Sequence, residues 1–527
     1  MSDLALDAVV DLDVPGARID RHLYGQFAEH LGRCVYEGFW VGEDSPVPNE
    51  GGIRLDVVEA LRELRIPNLR WPGGCFADSY HWRDGVGPRS ERPRIANVHW
   101  GDVVEDNAFG THEFLALCEL LGTQPYVSAN VGSGTVQETA DWVEYLTRDD
   151  DAPMARLRRE HGRDEPWPVT FFGLGNEPWG CGGNLRADQY ASLARLHSTY
   201  ARDLSGNRLQ RVAAGASDDD YAWTETLMKQ VSKGLGDEDP APLFQAVSFH
   251  YYTIPGTWGA KGSATDFTQD AYWTTIRKAH RVRDLIRGHS AVMDAYDPNA
   301  RVALALDEWG TWFDVEPGTE PGFLYQQNTM RDALVAAVHF DAFHDNARRL
   351  RLANVAQVVN VLQSMVLTDG SRMLRTPTFH AFAMSVGHQD ASALTVHDVA
   401  ARSTRGVDGT DLPTVSTSAS VKDGAVLVSL TNLDPATPAR VRVALRGGTV
   451  ALDTATVLAA PEGSGSDDAV RVHNTFDAPD AIAPRELTTV SLTTTDAQNT
   501  LTATLPPASF ATIRLCLLYT SDAADDK

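Results

Sequence analysis

The chain predicts an α/β fold, a (β/α)8 TIM barrel followed by an antiparallel β-sandwich. From about residue 20 to 385, short apolar runs alternate with longer amphipathic stretches. After about 385 the texture changes to Thr, Val, Ser, Asp and Gly with period-two alternation. Eight strand-like runs fall in the first region, in order Leu23–Phe27, Asn68–Pro72, Gln124–Val131, Thr170–Gly175, Arg211–Gly215, Ala246–Tyr252, Arg301–Leu306 and Val355–Leu362. Buried parallel strands read as near-continuous apolar runs, and VALAL at Val302–Leu306 does so. Between them Asp56–Leu64, Thr111–Leu121, Arg186–Leu204 and Gln326–Phe343 repeat apolar residues at three- and four-residue steps, as helices packed on one face require. Eight alternations suit a barrel with long loops. Counting alone leaves a doubly wound open sheet as the alternative.

The sandwich rests on Ala425–Leu433, Ala439–Leu445, Ala451–Ala459, Leu487–Thr494 and Ser509–Leu515, short alternating runs separated by Gly, Pro and Asp turns. Ala5–Val14 alternates in the same way and is expected to add a strand to it. Glu462–Asp468 reads as a loop. Residues 18–384 are thus assigned to the barrel and 385–515 to the sandwich, with 1–17 joining the latter. Cys516–Lys527 show neither period, end in an acidic tract and read as a tail foreign to the fold.

Composition narrows the function. Lys and Arg number 46 against 71 Asp and Glu, a net charge of −25. That balance argues against phosphate backbones and anionic membranes as partners. The longest apolar runs, such as Ala333–Val338, fall far short of a membrane span. The first residues lack the basic and apolar regions of a secretory signal, and 5 cysteines do not make a disulfide framework. The expected location is the cytoplasm, with no nucleic acid and no membrane as partner. No metal or cofactor is implied: HExxH, paired CxxC, EF-hand and phosphate-loop patterns are all missing, and His112-Glu113 lacks a second histidine.

On a barrel, reactive groups sit at the C-terminal ends of strands. The fourth run ends FFGLGNEPWG, with Asn176 and Glu177 at the mouth; the seventh reads RVALALDEWGTW, with Asp307 and Glu308 beside Trp309 and Trp312. Two carboxyl groups facing one another suit glycoside hydrolysis, in which one protonates the leaving oxygen and the other attacks or activates water. Trp, Tyr and Phe nearby would stack on sugar faces. A lone strand-end Glu is as often a loop salt bridge; the pair on strands four and seven is a stronger signal.

GLGNEP with a later LDEWG resembles the clan A glycoside hydrolases, and more closely glycoside hydrolase family 51, the α-L-arabinofuranosidases. GQFAEHLGRCVYEGFWVG (Gly25–Gly42), LRWPGGCFADSYHWRDGVGP (Leu69–Pro88), NVHWGDVVEDNAFGTHEF (Asn97–Phe114), NVGSGTVQE (Asn130–Glu138) and NVAQVVNVLQSM (Asn354–Met365) resemble that family's segments in the same order. The likeness covers nearly the whole chain up to the tail. It implies Glu177 as general acid/base, Glu308 as nucleophile, and retention through a covalent arabinosyl-enzyme. The acid is expected to need a raised pKa, and retention requires the carboxyl groups to stand only about 5–5.5 Å apart.

The same resemblance places Glu29, Arg70, Cys75, Asn176, Tyr252 and Gln357 around the sugar. Glu29 and Gln357 would accept from hydroxyls, Asn176 would hold the 2-hydroxyl, Arg70 would pair bidentately with a carboxylate, and Tyr252 would hydrogen-bond the nucleophile. Trp100 and Trp312 would wall the pocket or the leaving-group side, although Trp100 also suits a loop core. His250, on an apolar strand, reads as a satisfied buried histidine ahead of a pocket donor. Many relatives carry Asn where Cys75 stands, and a thiol cannot replace an amide's hydrogen bonds. Cys181 would share the barrel face, so a contact or a disulfide with Cys75 is open, with a cytoplasmic setting weighing against the bond.

The expected activity is exo-acting removal of terminal α-L-arabinofuranosyl residues from arabinan- or arabinoxylan-derived oligosaccharides. The resemblance implies a homo-oligomer, commonly a hexamer. The rivals are an endo-β-glucanase or β-xylosidase with the same machinery, which would need an extended cleft, and a non-catalytic carbohydrate-binding protein, which would not need two intact glutamates.

Overall fold

The computed structural model describes residues 4–231, 242–495 and 498–518. Eight parallel strands close a barrel in sequential order: Gly25–Phe27, Asn68–Trp71, Gln124–Ala129, Phe171–Leu174, Gln210–Ser217, Ala246–Thr253, Ala303–Thr311 and Leu350–Ala356. All eight expected runs contribute a strand, and the open-sheet alternative falls. Tyr126, Val212, Ala246, Ala305 and Leu352 fill the bore as one apolar cluster, so the barrel is plugged beneath its catalytic mouth.

Three strands differ from expectation in ways that matter at that mouth. The first is shorter, because Arg21–Tyr24 form a 3-10 turn capped by the Asp20 side chain. The seventh runs on to Thr311, so Asp307 and Glu308 lie inside it rather than just beyond its end. The eighth begins five residues earlier than Val355, and its pairing starts with Leu350 beside Leu304. The apolar run after Gln357 bends instead, with Asn360 and Leu362 at φ 61° and 50°, a left-handed backbone no strand accommodates.

The C-terminal domain is built on a ten-stranded sheet, with a separate hairpin of Thr404–Val407 and Thr410–Pro413. The sheet's two ends approach, Thr449–Ala459 against Val490–Thr495, and enclose a core of residues such as Val10, Val428, Val441, Leu501 and Ile513. Leu6–Arg18 joins it as an internal strand. It pairs antiparallel with Ser392–Asp398 but parallel with Ala439–Arg446, so the sheet is not wholly antiparallel. The last strand, Ser509–Leu518, includes Cys516, Leu517 and Leu518 paired with Ala451, Val450 and Thr449; these three belong to the fold, and the remainder of the expected tail lies outside the described residues. The expected loop 462–468 gives way at Ser466 to a short helix, Ser466–Arg471, whose Arg471 Nε donates to the Phe267 carbonyl.

The two domains are joined through the helix Met330–Asp345. It is buried on every face from Met330 to His344, which explains why its apolar run is continuous. One side packs on the barrel; from the other, Asp341 accepts a hydrogen bond from Ser416 Oγ at 2.5 Å, and His344 Nδ1 lies 2.9 Å from Ser418 Oγ. His388, its ring 4.5 Å from that of His344 and tilted against it by 41°, has both ring nitrogens 2.8 Å from hydroxyls, those of Ser420 and Ser429.

Burial pushes the His388 imidazole down to about 3, so it stays neutral in the folded protein while its unfolded counterpart, near 6.5, takes up a proton. The stability this contributes is present above pH 6.5 and is lost as pH falls. One such histidine accounts for a decline of about 2 kcal/mol between pH 7 and pH 5. Denaturant titrations at the two pH values should therefore show a decline smaller by about that amount in His388→Gln than in the unsubstituted protein.

Candidate active site

Strand four delivers its acid on a strained turn. Gly175 (φ 81°) leads into Asn176 and then Glu177, whose φ of 38° is left-handed for a residue with a side chain. The Asn176 amide donates to Asp78 Oδ2 at 2.7 Å, and the Glu177 carbonyl accepts from the Gly180 and Gly182 amides at 2.8 and 3.1 Å.

Strand seven delivers two acids to one side. Consecutive residues of a regular strand point to opposite faces. Here both neighbours count one residue fewer: Ser248 and His250 oppose Ala305 and Glu308, while Ala353 and Val355 oppose Leu306 and Trp309. The extra residue is a bulge, and it turns both Asp307 and Glu308 into the mouth.

The result is a compact carboxylate cluster. Glu308 Oε1 accepts from the Tyr252 hydroxyl at 2.8 Å and Oε2 from Arg70 Nη1 at 3.2 Å. Glu177 Oε1 lies 2.9 Å from His250 Nδ1, and an oxygen of each glutamate lies within 4.8 Å of the other. His250 Nε2 lies 3.1 Å from Asp307 Oδ1, and Asp307 Oδ2 accepts from the Tyr126 hydroxyl at 2.6 Å. Asp307, His250 and Glu177 thus form a chain that ends on the bore plug.

Arg70 does not pair bidentately with one carboxylate. Its two terminal nitrogens spread over three acceptors, Glu308 Oε2, the Asp307 carbonyl at 2.7 Å and Asn176 Oδ1 at 2.6 Å, and the guanidinium lies over the Phe27 ring at 4.4 Å. Glu29 is already held within the protein: Oε1 accepts from the Gly74 and Phe76 amides and from Trp100 Nε1 at 2.9, 3.3 and 2.9 Å, and Oε2 accepts from Gln357 Nε2 at 2.6 Å. Gln357 Oε1 is buried without a protein partner. Trp100 is therefore bound to the site through Glu29. At the rim Trp312 meets the Tyr252 ring edge-on at 4.9 Å and the exposed Trp258 at 5.3 Å, with Lys261 Nζ over the Trp312 ring at 5.4 Å.

Cys75 offers no thiol: it is disulfide-bonded to Cys181, tying the loop after strand two to the loop after strand four. Cys181 Sγ lies 3.7 Å from Glu177 Oε2 and 3.8 Å from Asn176 Nδ2. The position expected to hold an amide is thus a disulfide wall beside the acid.

Charge in this space is sorted by its neighbours. Burial alone would lower the His250 imidazole, but Glu308, Asp307 and Glu177 around it push it up to about 10, so it is cationic at neutral pH. Asp307 is held far below the usual carboxylate range: burial raises it, but Arg70, His250 and Tyr126 outweigh that. Burial raises Glu308, with Glu177 adding to the rise and His250, Arg70 and Tyr252 opposing it. Burial and Glu308 push Glu29 up to about 7 against its donors.

Tyr126 was not among the expected site residues; Asp307 was placed at the mouth without a role, and His250 was weighed as a pocket donor without being assigned to the site. HYY on strand six and DEW on strand seven place His250 and Asp307 near the mouth, but their pairing depends on the bulge, which no sequence period announces. Among the described residues, Glu177–His250–Glu308 and Cys75–Glu177–Cys181 bring three donor atoms together as a metal site would. The first contains a protonated imidazole and the second two disulfide sulfurs, neither of which ligates a cation well.

Comparison with known proteins agrees with this geometry. Residues 60–253 match the model of the α-L-arabinofuranosidase 1 domain and 307–509 that of the α-L-arabinofuranosidase C-terminal domain. The chain is 47% identical to an intracellular exo-α-L-arabinofuranosidase of Bacteroides ovatus over 94% of its length and 93% of the relative's. It superposes on the crystal structure of the family 51 arabinofuranosidase from Xanthomonas axonopodis pv. citri with TM-score 0.91 and 45% identity, covering 97% and 100% of the two chains. An arabinose complex of the Thermotoga maritima α-L-arabinofuranosidase matches with TM-score 0.81 and 28% identity over 97% and 100%. The chain belongs to the α-L-arabinofuranosidases of glycoside hydrolase family 51.

Proposed function

We propose that this α-L-arabinofuranosidase removes terminal non-reducing arabinofuranosyl residues from arabinan- and arabinoxylan-derived oligosaccharides by double displacement, with Glu177 as acid/base and Glu308 as nucleophile. The observation that carries the reading is the pair of carboxylates within 4.8 Å, one on Tyr252 and Arg70, the other on His250. Such closeness suits direct attack and leaves too little room for the water of an inverting mechanism. Glu308 forms the bond to the anomeric carbon as Glu177 gives its proton to the departing oxygen. Glu177, now a carboxylate, then takes a proton from water, whose oxygen displaces Glu308. Tyr252 and Arg70 stabilise the carboxylate that attacks and leaves.

His250 faces both glutamates. Its cationic Nδ1 lies 2.9 Å from Glu177 Oε1 and 3.7 Å from Glu308 Oε2, and at Glu308 its charge favours an ionised nucleophile. Glu29, tied to Gln357, Trp100 and the Gly74 amide, supports a small, fixed glycone pocket. The aromatic pair Trp312 and Trp258 supports a leaving-group side. The B. ovatus relative is named intracellular, and among the described residues no helix is long and apolar enough to cross a membrane. A cytoplasmic, homo-oligomeric enzyme acting on imported oligosaccharides is part of the same proposal.

Glu308→Ala should lower turnover on every substrate by about 10⁴-fold or more. Proton NMR of the first product formed by the unsubstituted enzyme should show the α anomer; the β anomer would exclude double displacement. Aryl α-L-arabinofuranoside should be cleaved and aryl β-D-xyloside and β-D-glucoside left intact. His250→Gln removes a positive charge beside Glu308, so the nucleophile ionises at higher pH. The acid limb of kcat/KM on an activated aryl arabinofuranoside should therefore move up by about one pH unit or more; an unmoved limb would remove His250 from this role.

A further inference from the structure

We infer that Asp78, which touches no reacting group, is the positioning residue that fixes the aim of the acid/base Glu177; the inference rests on the proposed role of Glu177. Asp78 is buried, 4% exposed, in the short 3-10 turn Cys75–Ser79 after strand two. Its Oδ1 accepts from the Val131 and Gly132 amides, both at 2.8 Å, and its Oδ2 accepts from the Asn176 amide at 2.7 Å. Its carbonyl accepts from the Ser133 amide at 3.1 Å and the Ser133 hydroxyl at 2.9 Å. Among the described residues it forms no ion pair. One carboxylate thus joins the loops after strands two, three and four through backbone amides alone.

The join lies next to the strained residue. A left-handed non-glycine residue at an active site persists where its surroundings over-determine it. Glu177 follows directly on Asn176, whose amide is held by Asp78 and whose side chain is held by Arg70. The disulfide from Cys75, in the same turn as Asp78, holds the far side of the Glu177 loop at Cys181. The packing around Asp78 is close: a Cβ at Gly132 would stand 2.8 Å from Asp78 Cβ, and one at Gly182 would meet the Asn176 carbonyl oxygen at 1.9 Å and Asp78 Oδ2 at 2.7 Å. An asparagine at 78 keeps one acceptor oxygen, and its NH2 group faces an amide donor, so the chain either frees Asn176 or frees Val131 and Gly132.

The function served is proton delivery. A misaimed acid slows cleavage where the leaving oxygen needs a proton and spares a leaving group that departs as a stable anion. The test compares kcat/KM, which reports the first displacement, on an arabinofuranosyl xylo-oligosaccharide and on 2,4-dinitrophenyl α-L-arabinofuranoside. In Asp78→Asn the oligosaccharide value should fall about 100-fold and the dinitrophenyl value by less than about threefold. Gly132→Ala, which presses on Asp78 from the loop after strand three, should give the same selectivity in weaker form and serves if Asp78→Asn does not fold. Equal losses on the two substrates, or values like the unsubstituted enzyme on both, would overturn the inference. Glu177→Ala in parallel separates the two levels. If it too lacks selectivity, the acid assignment itself fails. If it is selective and the Asp78 and Gly132 variants are not, only the role of Asp78 fails.

Discussion

The structure depends on Arg70. Four acids, Glu29, Glu177, Asp307 and Glu308, converge on one barrel mouth, and buried carboxylates that close repel one another and lose the solvation that makes charge tolerable. Arg70, 1% exposed on strand two, spans the nucleophile, the carbonyl of the residue before it and the side chain of the residue before the acid. A lysine could supply the charge but not the flat fork that reaches three acceptors while lying on Phe27. Removing it would leave Glu308 and Asp307 without their fixed cation, and the remaining cation, His250, already sits between Asp307 and Glu177.

Similar side chains therefore hold different charge. Asp307 is surrounded by donors and cations and stays ionised. Glu29 receives three donors on one oxygen and an amide on the other, yet burial and Glu308 carry it up to about 7, so it is poised near neutrality. His250 is cationic because three carboxylates surround it, not because water reaches it. Asp307 and Glu308 also show how little the local chain decides: they are neighbours, and their difference comes from what strands two, three and six place against them.

This is also where the sequence stopped being legible. Strands four and seven announce their acids because an apolar run ending in Asn-Glu-Pro or Asp-Glu-Trp is a local pattern, and all eight barrel strands are visible for the same reason. The bulge in strand seven is not local; it exists only in the register against strands six and eight, so the pairing of His250 with Asp307 could not be read from either segment. The Cys75–Cys181 bond depends on two loops meeting over strands two and four. The start of the eighth strand was obscured because Arg349 and Arg351 flank Leu350, giving an alternating pattern where an unbroken apolar run was sought. The parallel pairing of Leu6–Arg18 is a matter of topology, which period-two alternation does not encode.

The glycines of WPGGCF are intelligible from the same crowding of charge. Gly74 brings its own amide to Glu29 Oε1 at 2.9 Å, and a Cβ there would stand 3.1 Å from Glu308 Oε2 and 3.4 Å from Asn176 Nδ2. A side chain there would press on the nucleophile by a few tenths of an ångström; at Gly73 the fit is tighter, with a Cβ 2.8 Å from Glu29 Cγ and 2.9 Å from Glu29 Oε1. The loop after strand two solvates Glu29 with backbone by coming this close, and at Gly73 the approach leaves no room for a Cβ unless Glu29 or Phe76 shifts. The motif that resembles the family is thus a consequence of burying Glu29 and Glu308 together, and the disulfide at the next residue, Cys75, holds that close backbone against the loop that carries Glu177.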